Sequence, residues 1–85
     1  PLTVCQSVAL ECIALLSKNV LNREEIRKNG GLSPLVSFIH KKEQKDKVEA
    51  LKCLKECSKS PKNKALLRKA GFIETLIPYI LPDNE

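Results

Sequence analysis

The sequence predicts an all-α chain laid out as a helical solenoid, and three observations carry that prediction. The stretch Asn22 to Ile39, NREEIRKNGGLSPLVSFI, returns 41 residues later as NKALLRKAGFIETLIPYI, Asn63 to Ile80. Sliding the chain over itself by 41 aligns 44 residue pairs, and 11 are identical, among them Ala9/Ala50, Cys12/Cys53, Arg27/Arg68, Gly30/Gly71 and Ile39/Ile80. Apolar pairs such as Ile13/Leu54, Ile26/Leu67, Leu32/Ile73 and Val36/Ile77 fill the intervals. A period near 40 made of helical patterns marks stacked helical repeats, each unit covering its neighbour.

The first helix is predicted over about Leu2 to Lys18. Ala9, Leu10, Cys12, Ile13, Leu16 and Ser17 cover a wide arc, so it is expected to be buried on more than one side. Asn19 to Asn22 reads as a turn. Asn22 is the expected N-cap of a second helix over about Arg23 to Asn29, with Glu24 and Glu25 in the first turn, where the helix dipole favours anions. Gly30 ends it in the left-handed conformation and Gly31 permits a sharp corner. A third helix begins near Leu32 to Pro34, since a first-turn proline lacks only an N–H that had no partner. Leu32, Leu35, Val36 and Ile39 give it an i, i+3, i+4, i+7 apolar stripe.

Lys41 to Lys47 (KKEQKDK) reads as a solvated loop, with Asp46 capping a fourth helix over about Lys47 to Lys59. Ser60-Pro61 breaks it. A fifth helix is expected over about Asn63 to Ala70, ending at Gly71, and a sixth over about Ile73 to Leu81, kinked or shortened by Pro78 and closed by Pro82.

The chain has 85 residues, 42% of them apolar and 4% aromatic. A domain this small buries only about 60% of its unfolded surface. It opens on Pro1 and stops inside a second unit, as expected of a segment of a longer solenoid with flanking repeats of the same chain. Leu10, Ile13, Ile77 and Leu81 are expected on faces that neighbouring repeats cover. No apolar run reaches the ~18 residues a transmembrane helix needs, and no signal-peptide pattern opens the chain.

Four cysteines, Cys5, Cys12, Cys53 and Cys57, fall in helical patterns without a CxxC pair, and the single histidine is His40. They read as small core side chains rather than as zinc ligands, with Cys12 and Cys53 in equivalent core positions. Unpaired thiols imply an intracellular setting. A cysteine nucleophile needs a histidine base beside it, and His40 ends a different helix from those carrying the cysteines. Gly30-Gly31 has neither Walker nor Rossmann spacing. No catalytic constellation and no cofactor or metal site is predicted.

The order Asn22-Arg23, Gly30-Gly31, Leu32-Ser33-Pro34-Leu35-Val36, then Ala50-Leu51 with Leu54 and Ser58, resembles an armadillo repeat over nearly the whole chain. HEAT repeats compete, but they lack the separate short first helix and the Gly-Gly corner. The resemblance implies a right-handed superhelix of three-helix repeats. Residues 1–20 would be the third helix of one repeat, 21–60 a complete repeat, and 61–85 the first two helices of the next. It further implies a non-enzymatic scaffold that binds a protein partner, in the cytoplasm, nucleus or cilium. Third helices line the concave groove in such proteins, and importins and catenins clamp peptides there with an Asn ladder, supported by Trp in the importins. This chain has Glu11 and Leu15, then Lys52 and Glu56, at the matching positions and no Trp, so the ladder is not carried over.

On the third helices, Glu11, Ala14, Leu15 and Lys18 in one repeat, and Lys52, Lys55, Glu56 and Lys59 in the next, remain once the core set is removed. Stacking is expected to set Glu11 beside Lys52 and Leu15 beside Glu56, with Leu15 an apolar anchor in a polar rim or, equally, a side chain covered by a preceding repeat. The net charge of +5 offers a second surface. Arg23/Lys64, Arg27/Arg68 and Lys28/Lys69 are equivalent pairs that stacking would line up as a basic strip, with Lys41, Lys42, Lys45 and Lys47 adding a basic loop. Such a strip would suit an acidic protein tail, RNA or a membrane surface. No aromatic residues interleave it for base stacking, which argues against nucleic acid.

Overall fold

The computed structural model describes residues 2–40 and 43–82, and among them there are six helices and no strand. They are α1 (Leu2–Leu16), α2 (Val20–Lys28), α3 (Leu32–Phe38), α4 (Gln44–Cys57), α5 (Pro61–Lys69) and α6 (Phe72–Ile80). The 41-residue shift carries both ends of α2 onto those of α5, and the end of α1 onto the end of α4.

The caps repeat with the helices. Asn19 caps α2, its side chain accepting from the Leu21 N–H, and Ser60, 41 residues on, caps α5 by accepting from the Asn63 N–H. The expected cap, Asn22, lies inside α2 instead. Asn19 takes the extended cap conformation (φ −92°, ψ 133°) and starts the helix three residues earlier. Glu24 and Glu25 therefore miss the first turn. Likewise Pro61 does not merely end α4 but occupies the first turn of α5, where its missing N–H costs nothing.

Glu43, not Asp46, is the cap residue of α4, so the helix begins at Gln44 inside the stretch expected to be loop; Lys41 and Lys42 lie outside the described residues. Asp46 is buried in the first turn and accepts from the Ser7 hydroxyl at 2.9 and 3.2 Å, tying α4 to α1.

Gly30 and Gly71 both have positive φ, 74° and 81°. At the end of α2 the Gly30 N–H donates to the Arg27 carbonyl (3.0 Å) and the Gly31 N–H to the Ile26 carbonyl (2.8 Å), the bonding of a Schellman corner. Gly31 itself has an ordinary φ of −82°. A Cβ there would sit 3.0 Å from both the Ile26 carbonyl oxygen and its Cγ2, so close approach rather than turn conformation asks for glycine. Helix α6 runs through Pro78 and stops at Ile80, where Leu81, preceding Pro82, turns extended (ψ 140°).

Helix α4 is central. It packs against α1 and α3, with a smaller contact to α2, while α5 packs on α6 and α3. Ala50, Cys53, Leu54 and Cys57 of α4 are fully buried, joined in the core by Leu10, Ile26, Leu35, Ile39 and Leu67 among others. Leu10 is thus covered by this chain itself, contrary to expectation. The wide arc predicted for α1 is only partly buried: Leu10 and Ser17 are inside, Ile13 half-buried, and Ala9, Cys12 and Leu16 exposed. Cys5 is exposed too, so Cys12 does not share the buried environment of Cys53.

Candidate functional site

The C-terminal ends of α1 and α4, like any helix end, leave carbonyl groups without an intrahelical donor. Arg23 fills that need for α1: its Nε donates to the Ser17 carbonyl at 2.7 Å and its Nη2 to the Lys18 carbonyl at 2.9 Å. The same Nη2 donates to Glu56 Oε1 of α4 at 3.2 Å, so one guanidinium closes α1 and fastens it to α4.

Glu56 also receives Lys59 Nζ at 3.0 Å. The hydrogen bond from Lys59 holds its carboxyl below the usual carboxylate range. Beside this network, between the end of α1 and the middle of α4, lies an open groove of about 390 Å³. Ala14 and Leu15 supply its apolar lining, Lys18, Lys52 and Lys55 its cations, and Glu49 and Glu56 its carboxylates. Leu15 is 67% exposed. With Glu56 matched by Arg23 and Lys59, the unmatched charge of the lining is positive.

The structure therefore brings Leu15, Lys18, Lys52, Lys55 and Glu56 together and sets Lys59 at their edge. Two of the predicted stripe residues sit differently. Ala14 is buried under the groove. Glu11 turns away from Lys52 to pair with Lys45 at 2.7 Å, a hydrogen bond that raises the Lys45 ammonium above its ordinary value. Lys45 is reachable because α4 begins earlier than expected.

The basic strip is broken at its first pair of residues. Arg23 is only 9% exposed and is consumed by carbonyls and Glu56. Arg27 donates to Glu24 Oε2 at 2.9 Å and to Asn63 Oδ1 at 3.3 Å. Lys28, Lys64, Arg68 and Lys69 remain exposed. Lys64 and Arg68 edge a second groove of about 530 Å³ on α5 and α6, floored by Leu67, Phe72 and Leu76.

Sequence reasoning missed a third groove, of about 330 Å³, where Gln6, Ala9 and Ile13 of α1 face Pro34, Leu35 and Phe38 of α3. Its signal was present in the repeat: several of these positions align, 41 residues on, with residues buried between the two units. His40 is exposed just past α3, while Cys53 and Cys57 are buried in α4. Among the described residues no group of three or more His, Cys, Asp or Glu could hold a metal ion, and no helix is long and apolar enough to cross a membrane. No protein-family model, no curated protein and no solved structure matches the chain.

Proposed function

We propose that this chain is an armadillo-type segment of a right-handed α-solenoid, with residues 21–60 forming one repeat, and that it serves as a non-enzymatic scaffold binding a protein partner in the groove between α1 and α4. The observation that carries the reading is the recurrence, at 41 residues, of helix ends, N-caps and left-handed glycines. The groove lies on the helices that would be third helices of successive repeats. Its chemistry suits a segment presenting an apolar side chain to Leu15 and carboxylates to Lys18, Lys52 and Lys55. Four free cysteines fit a reducing, intracellular setting.

Panning a displayed peptide library against the chain tests this. Enriched peptides are expected to be acidic with an apolar residue, and to lose roughly tenfold or more in affinity against Leu15→Asp or the pair Lys52→Glu, Lys55→Glu. Helical circular dichroism should stay unchanged. If binding survives both changes and falls instead with Arg68→Glu, Lys69→Glu, the groove reading is wrong and the basic residues of α5 are the site.

A further inference from the structure

Arg23 does not line the groove between α1 and α4, yet it is bonded to both of its sides. Its Nη2 donates to the Lys18 carbonyl, just past α1, at 2.9 Å and to Glu56 Oε1 of α4 at 3.2 Å. Its Nε, 2.7 Å from the Ser17 carbonyl, fixes the guanidinium in place. The Arg23 and Glu56 side chains are only 11% and 19% exposed, so salt screens this pair less than it screens an exposed one.

Closing a helix end does not require this contact. Asparagine does that in both units: Asn22 donates to the Leu16 carbonyl at 2.8 Å and Asn63 to the Cys57 carbonyl at 3.0 Å. The residue equivalent to Arg23 in the second unit is Lys64, which is exposed and has no planar fork of donors. Arg23 therefore supplies something at the end of α1 that the repeat itself does not ask for.

The charges of the groove show what it supplies. The lining carries three cations, Lys18, Lys52 and Lys55, and two carboxylates, Glu49 and Glu56, a formal balance of +1. Glu56 follows Lys52 by four residues, a spacing at which side chains on a helix meet. A free Glu56 carboxylate could turn to Lys52 and occupy it from within the chain. Lys59 also pairs with Glu56, at 3.0 Å, but its side chain is 57% exposed and its flexible stem gives it no fixed position. Arg23, held by two carbonyls, does have one.

Resting on the groove reading, we infer that Arg23 is a positioning residue that sets the groove's selectivity: it holds Glu56 in a closed ion pair and so leaves Lys52 and Lys55 to the carboxylates of an acidic peptide. With Arg23 counted against Glu56, the balance of the groove becomes +2. Without it, Glu56 competes with the partner for the same lysines.

Fluorescence anisotropy tests this, with a labelled peptide carrying one leucine between glutamates and a matched peptide carrying lysines instead. The wild-type chain is expected to prefer the acidic peptide. Arg23→Gln should lose about three- to fivefold of that affinity, and adding Glu56→Gln should regain it. Damage to the end of α1 would not be repaired by removing a carboxylate, so recovery separates charge from structure. Should Arg23→Gln lose its helical circular dichroism, Glu56→Asp asks the same question with the Arg23 carbonyl bonds intact. The shorter carboxylate parts from a guanidinium that cannot follow it, and the acidic peptide should bind about threefold more weakly, while Glu56→Gln alone stays within about twofold of wild type. A loss in Arg23→Gln that Glu56→Gln does not recover overturns the inference and leaves the groove reading standing. So does a Glu56→Gln chain that binds the acidic peptide more than about threefold tighter with Arg23 present, since Glu56 was then never neutralised. A wild-type chain with no preference for the acidic peptide overturns the groove reading itself, and this inference with it.

Discussion

The side-chain amide of Asn63 donates to the main-chain carbonyl of Arg23, forty residues away, at 3.3 Å. The same nitrogen donates to the Cys57 carbonyl at 3.0 Å, and Oδ1 accepts from Arg27 at 3.3 Å. Asn63 is fully buried. One amide thus closes the end of α4 and fastens α5 to α2. Truncation would leave a buried carbonyl and a guanidinium short of a partner, each costly to strand. Asn63→Ala is expected to destabilise the chain by about 1–3 kcal/mol. Asn22→Ala, whose amide makes only the exposed bond to Leu16, should cost less than about 1 kcal/mol in the isolated chain. Urea midpoints in the reverse order would refute the assignment.

The glycine corners respond to two different physical causes. At Gly71 (φ 81°) there is open space around the missing Cβ, so the penalty is conformational. Gly71→Ala should cost about 1–2 kcal/mol and Gly71→Val more, against a Lys69→Ala change within about 0.5 kcal/mol. At Gly31 the penalty is steric, because the new Cβ meets the Ile26 carbonyl at 3.0 Å. Gly31→Ala should cost about 1–3 kcal/mol by forcing α3 away from α2. Thermal unfolding that ranks Lys69→Ala as the worst would contradict both arguments.

How much of this was legible in the sequence follows from which residues have equivalents. The order of six helices, the glycine corners and the groove of Leu15, Lys18, Lys52 and Lys55 came from periodicity, which is local and repeats. Asn22 misled because Asn19, three residues earlier, is chemically the same cap; only the extended φ, ψ of Asn19 decides between them. Arg23 looked like surface charge because a sequence does not show that its guanidinium lies over the open end of α1. Ala9, Cys12 and Leu16 looked buried because periodicity reports that a face is apolar, not what covers it.

Acid should weaken the fold through two carboxyls. Glu24 is held below its ordinary value first by the Ser60 hydroxyl, which donates at 2.7 Å, and then by Arg27. Glu56 is held down first by Lys59. A carboxyl depressed on folding contributes stability that is fully present above its unfolded value, about 4.3 for glutamate, and lost as pH falls through the folded value. The chain is therefore expected to keep its denaturation midpoint from neutrality down to roughly pH 5 on account of these groups, then to lose stability below about pH 4. Glu24→Gln and Ser60→Ala should each flatten part of that decline. A decline of unchanged steepness in both variants would show that Glu24 is not one of its causes.

Thiol labelling separates the cysteines that the repeat made look alike. Cys5 and Cys12 are exposed, while Cys53 and Cys57 are fully buried one turn apart on α4. The hydrogen bond that the Cys57 thiol donates to Cys53, together with burial, pushes Cys57 well above its ordinary value, so its reactive thiolate is scarce as well as shielded. In dilute, reduced protein two thiols are expected to react at the rate of a free peptide thiol. The other two must wait for α4 to be uncovered. Since α4 packs on both α1 and α3, that opening is close to global unfolding. Even a marginal stability of about 5 kcal/mol leaves an open fraction below roughly one in a thousand, so the second pair should react roughly a thousandfold more slowly or less. Urea at the unfolding midpoint should bring the two rates to within about twofold, because half the molecules are then open. Four equal rates in native buffer would mean that α4 is not the central helix of the folded chain.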